Sequence, residues 1–151
     1  MIERKIKYLI REINLVYYAV YLITVLIAVG IFLMNIGKME FSQVNETSQL
    51  GRNISTVYLV YLLGAIPFSL YGFTKRAKKW QEIENESLMF EKYKQGSRLR
   101  IVIVGLALIV GVVLVYVLNS KSMIFSAGIA AVALYFCKPT YRKITKDLNL
   151  K

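Results

Sequence analysis

Apolar residues in this chain are gathered into blocks, and the blocks predict the elements. Four runs are almost free of charge, at about 13–34, 54–74, 101–118 and 123–137. The first two reach the ~20 residues that an apolar helix needs to cross a bilayer. The fourth, if helical, is only about 22 Å long, so Lys121 and Lys138 are expected to reach out to the membrane edges around it. The expected fold is an all-α integral membrane protein in one domain over 1–151. Its four transmembrane helices form two hairpins, joined by a charged helical loop at 75–100.

Within the blocks, the polar and small residues recur at helical spacing. Asn14, Tyr17, Tyr21, Thr24, Ala28, Ile31 and Asn35 step by three or four and share one face of the first run. Polar groups facing lipid find no partners, so this stripe is expected to face other helices. It serves either interhelical hydrogen bonding or a path for a ligand or ion, and packing is the commoner use. The second run has a similar face, Tyr58, Tyr61, Ala65, Ser69 and Gly72, and Pro67 predicts a bend near Leu63–Gly64. In the fourth run Ser126, Ala130, Ala133 and Cys137 share a face of small residues that lets backbones approach. The third run has no polar side chain in its core. It predicts a lipid-like helix, so the stripe of the first run is expected to meet the second and fourth.

The flanks have patterns of their own. Ile2, Ile6, Leu9, Ile10 and Ile13 alternate with Arg4, Lys5, Lys7 and Arg11, as in an interfacial helix leading into an uncleaved first span. After the second run, Lys75, Arg76, Lys78, Lys79 and Trp80 form an interface anchor expected to bind anionic headgroups. Glu82, Glu84, Glu86 and Glu91 follow among apolar residues, which predicts a solvated helix to about Lys94, broken by Gly96. The polar stretch 36–53 contains Asn45-Glu46-Thr47, and Asn53-Ile54-Ser55 follows, two matches to a common glycosylation pattern. The end, from Lys138-Pro139 onward, is expected to be a basic tail.

Charge sets the expected orientation. Segments 1–12, 75–100 and 138–151 carry four, eight and five Lys or Arg, against three elsewhere. The positive-inside rule then places both termini and the central loop in the cytoplasm. A net charge of +11 does not imply nucleic acid here, because the cations sit at the ends of apolar runs. A hydrophobic fraction of 56% and a mean hydropathy of +0.49 agree with a membrane chain, expected in a bacterial inner (plasma) membrane.

Composition also limits the chemistry. The chain has no His, its one Cys is Cys137, and no Asp or Glu lies inside a run. The usual zinc, haem and nucleophile–base constellations cannot be assembled from these residues, so no catalytic residue, metal site or cofactor is expected. The expected function is that of a non-catalytic accessory, regulatory or immunity-type subunit acting through helix packing and its basic loop. The alternative is a small homo-oligomeric channel or transporter using the polar face of the first span. Expected partners are anionic lipids on the cytoplasmic side, a second copy or another membrane protein.

Overall fold

The computed structural model describes residues 2–37 and 44–150. Five helices follow in order: α1 (Ile2–Ile36), α2 (Gln49–Trp80), α3 (Glu86–Val117), α4 (Lys121–Phe136) and α5 (Tyr141–Asp147). Each of α1, α2 and α3 is long and apolar enough to cross a membrane; α4 is so only when joined to α5, from which it is bent by 73°. Among the described residues this is an all-helical chain of the kind expected of an integral membrane protein.

Local chemistry sets the helix starts. Ser48 caps α2, its hydroxyl accepting from the backbone N–H of Gly51 at 3.0 Å. Asn85 caps α3, its Oδ1 accepting from Ser87 N at 3.0 Å and Leu88 N at 3.3 Å. Asn119 turns the chain between α3 and α4 with φ 47°, a left-handed conformation that Asn tolerates well. The chain entering α2 is tied to that turn: Val44 N donates to Val117 O at 3.0 Å, and Ser122 donates to Glu46 at 3.0 Å.

The third run corrects the sequence reading. It is part of a helix that lies at the centre of the bundle, with α1, α2 and α4 all packed on it. Gly105 and Gly111 explain this. A Cβ at Gly105 would stand 2.6 Å from Cγ1 of Val20, and one at Gly111 would collide with the Tyr58 hydroxyl. Missing side chains on α3 are thus the sockets for α1 and α2, and such close approach is what holds helices together in lipid. Ile101, Val104 and Ala107 on the same helix are fully buried.

Three further expectations give way. Gly96 does not break a helix: α3 runs through it, because the Trp80 ring lies where a Gly96 side chain would begin. The first two spans do not form a packed hairpin, since among the described residues α1 and α2 each contact α3 and not one another. The basic tail is not loose, because α5 folds back against α1 and α2 with Ile144 and Leu148 buried. Two ion pairs also bind the start of α1 to α3, Arg98–Glu12 at 2.7 Å and Lys5–Glu86 at 3.2 Å. Both are partly exposed, which limits each to about 0.2–1 kcal/mol.

Candidate functional site

The polar stripe of α1 divides in two. Tyr17 and Thr24 are buried; Thr24 donates to Val20 O of its own helix at 2.8 Å, and Tyr21 reaches Ala131 O of α4 at 3.3 Å. Oδ1 of Asn14 is buried without a hydrogen-bond partner. Beyond Thr24 no residue of α1 is buried, and Asn35 is exposed. α1 packs on α3 rather than on the small face of α2, because the hollow at Gly105 admits Val20, beside the stripe. On α2, Tyr58 donates to Ala107 O at 3.0 Å and Tyr61 to Ile103 O at 3.2 Å. Ala65 and Gly72 are half-buried, and Ser69 is buried with its hydroxyl on Ile66 O at 3.0 Å. Ser126, Ala130 and Ala133 of α4 are buried, with α4 packed mainly on α3. Tyr21, Tyr58, Tyr61 and the hydroxyls of Thr24, Ser69 and Ser126 therefore donate to backbone carbonyls.

The richest cluster of functional groups lies at the end of the bundle that holds 75–100. Tyr93, Ser97 and Arg100 fall at i, i+4 and i+7 on α3; Phe73, Ala77 and Trp80 repeat that spacing on α2. The two faces meet. The rings of Phe73, Trp80 and Tyr93 pack edge to face, with centroids 5.3–6.1 Å apart. Trp80, expected among headgroups, is half-buried in this triangle. Lys75, Arg76, Lys78 and Lys79 remain exposed on the last turns of α2.

Arg100 is the central group. It is only 5% exposed, and its guanidinium lies 3.9 Å from the Phe73 ring centroid. Its Nη2 donates to Cys137 O at 3.2 Å, and Lys143 Nζ donates to Phe136 O beside it. Two cations thus cap the C-terminal carbonyls of α4, where the helix dipole favours positive charge. Asp147 is engaged elsewhere: it accepts from the Tyr93 hydroxyl at 2.9 Å, while Gln81 donates to its backbone carbonyl at 2.8 Å. Burial, with Asp147 beside it, pushes the Tyr93 phenol well above its ordinary range. Burial and then Arg100 push the Lys143 ammonium down.

A crevice of about 60 Å³ opens between α2 and α3 beside Arg100, lined among others by Ser69, Gly72, Arg76 and Gly96. A wider groove of about 560 Å³ separates the starts of α1 and α3, with Arg4, Lys5 and Lys94 around Leu9 and Phe90. The sequence reading missed Arg100, which it left as the last residue of a loop. The signal was available: Tyr93, Ser97 and Arg100 continue the helical register of Val104, Ala107 and Gly111.

Comparison with protein-family models, with curated proteins and with solved structures finds no match for this chain.

Proposed function

We propose that this chain is a non-catalytic membrane subunit of accessory, regulatory or immunity type. In this reading it sits in a bacterial inner membrane, with both termini and 75–100 in the cytoplasm. It acts through helix packing and through the basic surface of that end, where Lys75, Arg76, Lys78 and Lys79 contact anionic headgroups. The observation that supports this best is the use of three tyrosines placed between helices. Tyr21, Tyr58 and Tyr61 bond to backbone carbonyls of neighbouring helices, as structural side chains do in a packed bundle. The distribution of Lys and Arg supports the orientation.

Two experiments test this. A single Cys placed at Ser48, in a Cys137→Ser background, should react with an impermeant reagent from outside intact cells. One at Glu84, in the exposed turn between α2 and α3, should react only after the cells are opened. The reverse pattern would invert the orientation. Reconstituted in liposomes, the purified chain should carry no solute or ion flux.

One observation favours the second reading, a homo-oligomeric channel or transporter. The far half of the α1 stripe, ending at exposed Asn35, is left uncovered by the other described residues. A flux that Thr24→Leu or Asn35→Leu abolishes would establish that reading and displace the first.

A further inference from the structure

A buried guanidinium without an anion is costly, because desolvation of the charge is offset only by good partners. Arg100 is in this position. Its Nε has no hydrogen-bond partner, and its Nη2 is held by the neutral carbonyl of Cys137. Among the described residues no carboxylate lies within ion-pairing distance of it. Its surroundings add positive charge. Lys143 stands close enough for the two cations to repel, and Arg76 lines the same crevice from α2. Among the described residues the acid beside this cluster is Asp147, which accepts from Tyr93 and favours the charge on Lys143, and it makes no ion pair with Arg100.

The crevice beside Arg100 leaves room for an anion. It is open at Gly72, where nothing lies within 4 Å of where a Cβ would stand, while the Trp80 ring fills the hollow at Gly96. Ser69 and Arg76 add a hydroxyl and a second guanidinium. Guanidinium groups match phosphate oxygens with paired hydrogen bonds, where an ammonium acts only as a point charge. Phe68, Leu99 and Ile103 complete the wall, and Phe68 is 70% exposed, so an apolar surface runs on from the cation pair.

We propose that Arg100 and Arg76 bind a phosphate group in the crevice between α2 and α3. The apolar walls assign it to the headgroup of an anionic phospholipid, whose chains follow Phe68, Leu99 and Ile103. This rests on the reading that the basic end of the bundle lies at a membrane surface. The site also has a structural effect, since the bound anion bridges α2 and α3 where Arg100 holds the end of α4.

The test uses the full chain in detergent, with native mass spectrometry for bound lipid. The probes are phosphatidylglycerol, diacylglycerol and inorganic phosphate. Wild-type protein should retain phosphatidylglycerol and not diacylglycerol. Gly72→Leu fills the crevice without touching a charge, and should weaken retention by about tenfold, as expected when charge-assisted hydrogen bonds are lost. Arg100→Gln should do the same, and Gly72→Leu keeps the test decisive if that variant fails to fold. Displacement of the lipid by inorganic phosphate would show that the phosphate itself is held; absence of displacement, with loss in both variants, would assign the site to the intact lipid. Retention unchanged in Gly72→Leu, or diacylglycerol held as tightly as phosphatidylglycerol, overturns the proposal. The triple variant Lys75→Gln/Lys78→Gln/Lys79→Gln separates the two readings. It should reduce adsorption to anionic vesicles and leave the tightly held lipid in place. If adsorption is unchanged, the surface reading fails while the crevice is judged on the lipid it retains.

Discussion

Cγ1 of Val20 on α1 sits 2.6 Å from the point where a side chain at Gly105 of α3 would begin. The two backbones can lie this close only because one of the pair has no side chain. Gly105→Ala should therefore destabilise the detergent-solubilised protein, by an overpacking cost of about 1–3 kcal/mol. Combining it with Val20→Ala should recover part of the loss, since the added methyl would then replace the one removed. Thermal melts of the two single variants and the double measure that coupling directly.

Ala130 is fully buried on α4, one turn from Ser126 and Ala133, whereas Ile129 beside it is 55% exposed. Ala130→Leu should lower stability by about 1–3 kcal/mol. Ile129→Leu, on the outward face, should melt within error of the parent. Equal melting of the two would place Ala130 outside the interior.

Tyr58 joins α2 to α3 through its bond to Ala107 O and through the hollow at Gly111. Tyr58→Phe keeps the ring and removes the hydroxyl, which both donates to Ala107 O and lies nearest the Gly111 hollow; the hydrogen bond accounts for about 0.6 kcal/mol, rising toward ~1.7 kcal/mol at most. Tyr58→Leu should cost clearly more, because the socket at Gly111 is then left unfilled. A smaller loss for Leu than for Phe would show that the hydroxyl, and not the fit, holds the pair.

The Arg100 cluster should show itself in alkaline solution. The Tyr93 phenol is raised above its ordinary value of 10.0, so the folded state keeps a proton that the unfolded chain releases. The stability this contributes is complete below pH 10.0 and is lost as the pH climbs further. Lys143 acts in the opposite sense. Its pKa is lowered from 10.5, so stability rises with pH between that lowered value and 10.5. Melting temperature followed against pH should fall less steeply on the alkaline side in Tyr93→Phe. In Lys143→Met the rise that precedes the fall should disappear. Unchanged profiles in both variants would mean that neither group titrates differently on folding.

The four apolar runs, and with them α1 to α4, were legible because crossing a membrane leaves a strong hydropathy signal. The arrangement of the helices was not. Gly105 and Gly111 look like breaks in an otherwise featureless run, and their role is visible only once Val20 and Tyr58 are found in their places. Hydropathy ranks a helix by what it shows to lipid, while α3 is central because of what it lacks. Gly96 misled for the same reason: its intrinsic helix-breaking tendency of about 1 kcal/mol is overridden by the packing of Trp80. On α4 the residues Ser126, Ala130 and Ala133 that spacing put on one face are buried together, whereas on α2 Ala65 and Gly72 are only half-buried, with nothing within 4 Å of a Cβ at Gly72. The basic end was readable as charge, but Arg100 is the one cation there that the fold buries, and a charge count does not separate it from its neighbours. α5 was hidden in a basic tail whose Ile144 and Leu148 lie one turn apart.

Because α1 and α2 each contact α3 and not one another, the order in which the chain is made differs from the order in which it can assemble. Both leave the ribosome before the helix they pack on exists. Until α3 arrives, Tyr58 and Tyr61 have no Ala107 or Ile103 carbonyl to bond, and Val20 has no hollow to enter. Among the described residues, the first half of the chain therefore holds two long apolar helices with no packing between them. Residues 86–117 supply the surface on which both close.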